Sequence, residues 1–213
     1  MNSTLAGVQV LFGSVPGTPT YVSATQINVV VPFEIAGNAV TNISVVYQGI
    51  QSAPIPQQVV QAAPSIFTFN ATGQGQAVAG NVTGPTAGTD NGPVGGVAIT
   101  GGTISTSPIV QGQYFFVYAT GGGLTNPAST TGSVNSTTTL MPLMNWTQTS
   151  GTVTATVGGM PATITFAGAA PGLINGVYQF DIQAPVGVSG NALPLAITID
   201  GVSTPAGPTI AVQ

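Results

Sequence analysis

The chain has 213 residues and not one lysine, arginine, histidine or cysteine; only Glu34, Asp90, Asp181 and Asp200 carry formal charge. Without cations it has no means of displacing counterions from phosphate, which excludes nucleic acid and polybasic attachment to anionic membranes; without cysteine it has no disulfide framework and no thiolate metal site. Charged residues make up 2% of the chain, against about 25% in an average soluble domain, yet 43% is hydrophobic, enough to bury a core rather than remain disordered.

No apolar run reaches the roughly 18 residues of a membrane-spanning helix, so no membrane insertion is expected. Met1–Gly7 has neither a basic nor a sustained apolar region of the kind an export signal needs. A secreted chain of this sequence would have lost its signal, or would be part of a longer protein. The missing Lys and Arg also deny trypsin-like proteases a cleavage site, which suits a protein exposed outside the cell or at its surface.

Short segments with period-two alternation follow one another, separated by Gly, Pro, Asn and Ser clusters, and predict strands throughout. Val8, Val10 and Phe12 alternate first. Gly13-Ser-Val-Pro16 predicts a tight turn, glycine supplying positive φ and proline fixing its own. Gln26–Pro32 (QINVVVP) is a strand that proline stops, because proline cannot donate to a ladder. Ile43, Val45 and Tyr47 share a face in the next strand, with Asn42 opposite. Ala63-Pro-Ser-Ile-Phe-Thr begins a connecting segment in which Phe67 and Phe69 alternate with polar residues. Val94–Gly101 and Gln113–Thr120 predict two more strands. Val153, Ala155 and Val157 then alternate with threonines, Gly158–Pro161 (GGMP) repeats the tight turn, and Gln179–Pro185 (QFDIQAP) repeats the stopped strand. Leu193, Leu195, Ile197 and Ile199 share the face of a late strand. No segment has helical periodicity over a helical length. An antiparallel all-β fold with one dry and one wet face per sheet is expected.

The repeat is the strongest internal signal. Gln26–Ala39 and Gln179–Ala192 align at a constant offset of 153 residues, with glutamine, proline, glycine and asparagine in register. Two copies of one β unit are expected, with boundaries at 1–62 and 63–213. The first copy has only about a dozen residues before Gly13 and is expected to lack its opening strands. Apolar positions 8, 10, 12, 27, 29 and 31 would then need cover from elsewhere, since burying each such side chain stabilises by about 1.5–3 kcal/mol. Either an upstream segment of a longer chain or a neighbouring subunit could supply it; the expected partner is the protein itself, a neighbouring copy donating Val94–Gly101 or Pro208–Gln213 by main-chain pairing.

Residues able to do chemistry are few. Catalysis needs a group that titrates or coordinates near working pH, and a Ser or Thr nucleophile here would have no base. Asp181 and Asp200 are the nearest approach to a glycosidase-like carboxylate pair; both read more simply as solvated strand or turn residues, as does Glu34. Asp90-Asn91-Gly92 resembles part of a calcium loop, but one acidic position reads as a turn. Tyr118–Leu124 (YATGGGL) has the glycines of a phosphate loop without its lysine or helix, and reads as a glycine turn. No catalytic residue, metal ligand or cofactor is expected. Six Asn-x-Ser/Thr sequons, at Asn2, Asn42, Asn70, Asn81, Asn135 and Asn145, are candidate glycan sites, with Asn70, Asn81 and Asn135 placed in loops.

Four stretches carry a family resemblance: YVSATQINVVVP from Tyr21, APSIFTFNATGQGQAV from Ala63, YATGGGLTNP from Tyr118 and AGAAPGLINGVYQFDIQAP from Ala167. They resemble a C-terminal domain of unknown function abundant in secreted proteins of Acidobacteria, the Solibacter paralogous family. Each half is also similar to the IPT/TIG branch of immunoglobulin-like domains, whose closing strand corresponds to Gly49–Ser52 and Gly201–Thr204. The resemblance implies two tandem immunoglobulin-like antiparallel sandwiches, secreted, with no implied reaction. The expected function is a structural subunit of an extracellular filament, sheath or surface layer joined by strand exchange; the alternative is an adhesive or carbohydrate-binding module of a larger secreted protein.

Overall fold

The structure, a computed structural model, describes residues 2–213 and contains no α-helix among them. The chain is all-β, with several sheets and a β-sandwich-like organisation. It divides into two units.

The first unit comprises Met1–Gln61 together with Gly123–Met144 and Ala169–Gly176. These last two stretches fall outside the 1–62 boundary expected from the repeat. They are rich in Gly, Ser, Thr and Asn, carry no strand periodicity, and dock by side-chain hydrogen bonds that spacing does not reveal. Its strands are β1 (Val8–Phe12), β2 (Val15–Pro16), β3 (Thr18–Val22), β4 (Ile27–Val30), β5 (Val40–Tyr47), β6 (Ile50–Gln51) and β7 (Ile55–Gln58), with a single 3-10 turn at Phe33–Ile35 after Pro32. One sheet runs β2-β1-β5-β6 with β7 also on β5; β3 and β4 form a separate hairpin. Val8, Val10 and Phe12 do not need the cover expected for them from elsewhere: they are buried within this chain, because Val10 and Phe12 pack with Ile35 in a small core, against which Val15, Ile27, Val29, Ile43, Val45 and Val59 are only partly buried. Among the described residues no strand pairs with the outer edge of β4 or of β7.

The second unit comprises Ala62–Gly122, Asn145–Gly168 and Val177–Gln213. It opens with β8 (Ser65–Ile66), β9 (Gly75–Gln76), β10 (Ala79–Asn81), β11 (Val97–Ile99), β12 (Gly102–Ile104) and β13 (Tyr114–Thr120). There follow β14 (Val153–Val157), β15 (Met160–Ala169), β16 (Val177–Gln183), β17 (Gly190–Ile199), β18 (Val202–Ser203) and β19 (Pro208–Val212). The main path is β10-β13-β16-β15-β14-β17-β19-β9, with β8 on β13 and β18 on β17. The two ten-residue strands serve different partners along their length. β15 pairs with β14 through Met160–Ala162 and borders β16 further on; β17 pairs with β19 at its start and with β14 from Leu195. Phe115, Val117, Phe180, Ile182, Val157, Ile197 and Ile210 are fully or almost fully buried and fill the core.

The pairing is not wholly antiparallel: β9 runs parallel to β19, and Ile109 forms a parallel bridge with Val212. Nor is Val94–Gly101 an opening strand of the main sheet. Its Val97–Ile99 pairs only with Gly102–Ile104, a two-stranded ribbon apart from the rest, because Gly95, Gly96 and Gly101 at positive φ fold the segment back on itself.

The repeat is reproduced in register. Val8 faces Tyr47 and Phe12 faces Ile43, as Val153 faces Ile199 and Val157 faces Leu195. Phe12–Val15 and Val157–Met160 close the two predicted tight turns. The turns after β5 and β17 match as well. Gln48 and Gly49 sit at φ 50° and 80°, Asp200 and Gly201 at 48° and 84°, the two successive positive values of a type I′ hairpin turn. Beyond each turn a hydroxyl takes up a strand amide: Val45 N donates to Ser52 Oγ at 3.0 Å, and Ile197 N to Thr204 Oγ1 at 3.2 Å.

Candidate functional site

The four acidic residues are held apart in role. Glu34 accepts a hydrogen bond from Thr131 Oγ1 at 2.7 Å, and that hydroxyl in turn accepts the amide of Phe33 at 2.9 Å. This pair borders a shallow cleft with Ser3, Val15, Pro16 and Thr18. Asp200 occupies the exposed type I′ turn. Asp181 lies on β16, opposite Phe116 on β13, and Gln179 Nε2 donates to its carboxylate at 2.8 Å. Burial raises its pKa, and the Gln179 hydrogen bond opposes that shift.

Asp90-Asn91-Gly92 is not a turn. Asp90 bridges to Gly80 and Asn91 to Ser107, so the stretch is extended, and a polar network that composition could not disclose holds it there. Asn91 is fully buried. Its Nδ2 donates to Asn81 Oδ1 and to the carbonyl of Ala211, both at 3.0 Å; its Oδ1 accepts from Ala211 N at 3.0 Å and Gln76 Nε2 at 3.1 Å. With its amide fully engaged, Asn91 acts as a clasp between the opening segment and β19. Gly121–Gly123 carries no regular structure, and Ala63 donates its amide to the Gly121 carbonyl at 2.9 Å. Among the described residues no three His, Cys, Asp or Glu side chains come together.

The sequons divide by burial. Asn2, Asn42, Asn70 and Asn145 are exposed. Asn81 lies in a strand rather than a loop, Asn135 lies in a loop as expected, and neither is open to modification because both are buried. Asn81, in β10, donates from Nδ2 to the Ser107 carbonyl at 2.9 Å, and Asn135 donates from Nδ2 to the Ala169 carbonyl at 2.9 Å. In the folded protein these two nitrogens are occupied, and the candidate glycan sites reduce to the other four.

Two surfaces remain that single-residue reading missed. The first is the outward face of β13 and β16, where Tyr114, Phe116 and Tyr118 run beside Gln183, Asp181 and Gln179. Phe116 and Tyr118 stack at 5.1 Å between ring centroids. Gly80 lets the Phe116 ring lie close against β10, where a Cβ would clash with it. The Tyr118 phenol is pushed up by burial and by the charge of Asp181. The alternation in QYFFVYAT held this signal: its odd-numbered residues form the core and its even-numbered ones this row.

The second is the open side of the first unit. Phe180, Ile182 and Ala184 on the β16 stretch are 0, 0 and 1% exposed. Their counterparts in the repeat, Ile27 and Val29, are half-buried and Val31 is 51% exposed. Tyr47, counterpart of Ile199, is also 51% exposed, and Val40, Ile50, Ile55 and Val60 are exposed nearby in sequence.

No protein-family model matches the chain, and neither does any curated protein or solved structure.

Proposed function

We propose that the protein is a structural subunit of an extracellular filament, sheath or surface layer, built from two immunoglobulin-like units related to the Solibacter paralogous family and joined to its neighbours by strand exchange. One observation carries this reading: the second copy of the repeat has strands where the first has open edges. On β16 the outer edge is taken by β13, and on β19 by Ile109–Gln111 running parallel. These added strands beside β16 and β19 support the immunoglobulin-like reading, in which two sheets close over one core. The first unit has the equivalents of the remaining strands only. An uncovered strand edge with apolar residues beside it is a template for another chain, and the near absence of charge removes the repulsion that normally discourages such pairing.

No helix is long and apolar enough to cross a membrane among the described residues. The lack of Lys and Arg favours an exposed, protease-resistant setting. The test is direct: electron microscopy and analytical ultracentrifugation of the purified chain should show ordered polymers. A monodisperse monomer at every accessible concentration would refute the proposal.

The row Tyr114, Phe116 and Tyr118 beside Gln179 and Asp181 favours a second reading, a carbohydrate-binding module, since aromatic faces flanked by amide and carboxylate groups suit sugar rings. Glycan-array binding abolished by Tyr118→Ala would support it.

A further inference from the structure

The open edge of β4 and the ribbon β11–β12 are complementary halves of one contact. The ribbon belongs to no larger sheet. Its Val97, Ile99 and Ile104 are only half-buried, and Val94 beside it is 79% exposed. A two-stranded ribbon alone is marginally stable in water, so a docked sheet would stabilise it. At β4 the need is the reverse. Ile27 and Val29 point to a core that is incompletely covered, and among the described residues no strand pairs outside them. The second unit shows what fits: a strand antiparallel to the β16 equivalent, with apolar residues on alternate positions, as Phe115, Val117 and Ala119 supply from β13. Val97 and Ile99 have that spacing, and residues 94–106 and 26–32 contain no charged group to desolvate.

We infer that the β11–β12 ribbon of one copy adds to the β4 edge of a second copy, β11 lying antiparallel to β4 with Val97 and Ile99 over Ile27 and Val29. This rests on the strand-exchange reading above and names its donor and acceptor. It also rules out the other expected donor, Pro208–Gln213. β19 pairs with β17 and with β9, carries buried Ile210, Ala211 and Val212, and could leave only by opening its own unit. In the proposed pairing Asn28 and Ala98, both exposed and on the face opposite the apolar rows, come to lie on adjoining strands.

The chain has no cysteine, so paired single-cysteine variants report on this contact without background. Asn28→Cys and Ala98→Cys proteins, mixed and oxidised, should give a covalent heterodimer of twice the chain mass, whereas a mixture of Asn28→Cys with Thr209→Cys should not. Ile99→Asn should abolish polymers while leaving the thermal transition of the second unit unchanged, the ribbon lying outside its core. Polymers that form without the Asn28–Ala98 cross-link would overturn the donor assigned here and leave strand exchange standing. Monomers that neither polymerise nor cross-link would overturn both.

Discussion

The two copies of the repeat share a main-chain plan but differ in how much core they complete. Their strand registers, tight turns, type I′ turns and hydroxyl-to-amide bonds coincide. Their interiors do not. The second copy buries Phe180, Ile182, Leu195, Ile197 and Ile199, whereas Ile27, Val29, Ile43 and Val45 in the first are half-buried and Tyr47 is exposed. Local chemistry therefore suffices to set turns and register, since these depend on residues a few positions apart. Burial depends on strands that come from elsewhere in the chain, and one copy has them while the other does not.

The largest effect should come from truncating equivalent core positions. Phe180→Ala should cost about 3–5 kcal/mol, the usual range for a fully buried aromatic. Ile27→Ala, its counterpart, should cost roughly 1–2 kcal/mol in the monomer, because only part of that side chain leaves water. Denaturant unfolding followed at both sites would check this, and equal losses would show the first copy to be closed after all. Next comes Asn91→Ala, in the part of the second unit that has no counterpart in the first. It leaves Asn81 Oδ1 and the Ala211 amide without their partner, while the Ala211 carbonyl keeps Ile109 N and Gln76 Nε2 keeps the Ala77 carbonyl. With buried polar groups costing about 1–3 kcal/mol each when orphaned, the total should be about 3 kcal/mol, accompanied by faster amide exchange along β19.

A smaller and symmetric effect is expected at the shared turn. Gly49→Ala and Gly201→Ala meet no neighbouring atom, so only the positive φ opposes them. Each should cost about 1 kcal/mol, the order of the left-handed penalty for a residue with a Cβ. Similar melting shifts for the two variants would support the equivalence of the copies, and a shift in one alone would break it.

Much of this was legible in the sequence, and for identifiable reasons. The Gly-x-x-Pro turns, the proline-stopped strands and the alternation at 8–12, 113–120 and 193–199 depend on neighbours in the chain, and each appears where expected. What escaped depends on distant partners. The Val94–Gly101 segment alternates like a sheet strand, but its glycines close it into a ribbon with residues 102–104. Asn91 looked like a turn residue, and only the approach of Ala211, 120 positions away, makes it a clasp. Asn81 and Asn135 satisfy the sequon pattern, which says nothing about where Nδ2 will point. The membership of 123–144 and 169–176 in the first unit was hidden for the same reason, since they carry no strand signature.

The smallest predicted effect is the most specific to the comparison. Asn28 in the first copy and Asp181 in the second occupy the same repeat position and accept the same bond, from Gln26 Nε2 at 2.7 Å and from Gln179 Nε2 at 2.8 Å. The carboxylate has the shape of the amide but carries a charge and an acceptor oxygen in place of the NH2 donor, and burial raises its pKa above the ordinary value. The folded state therefore holds its proton to a higher pH than the unfolded chain does. Linkage then fixes the sign: Asp181 adds stability below its unfolded pKa, and that stability is lost as pH rises from the ordinary carboxylate range through the folded value. Asp181→Asn makes the second copy chemically like the first at this position. Its melting temperature should match that of the parent protein under acidic conditions and exceed it at neutral pH. A variant that is less stable at neutral pH would show instead that the ionised carboxylate is satisfied where it lies, with Gln179 outweighing burial.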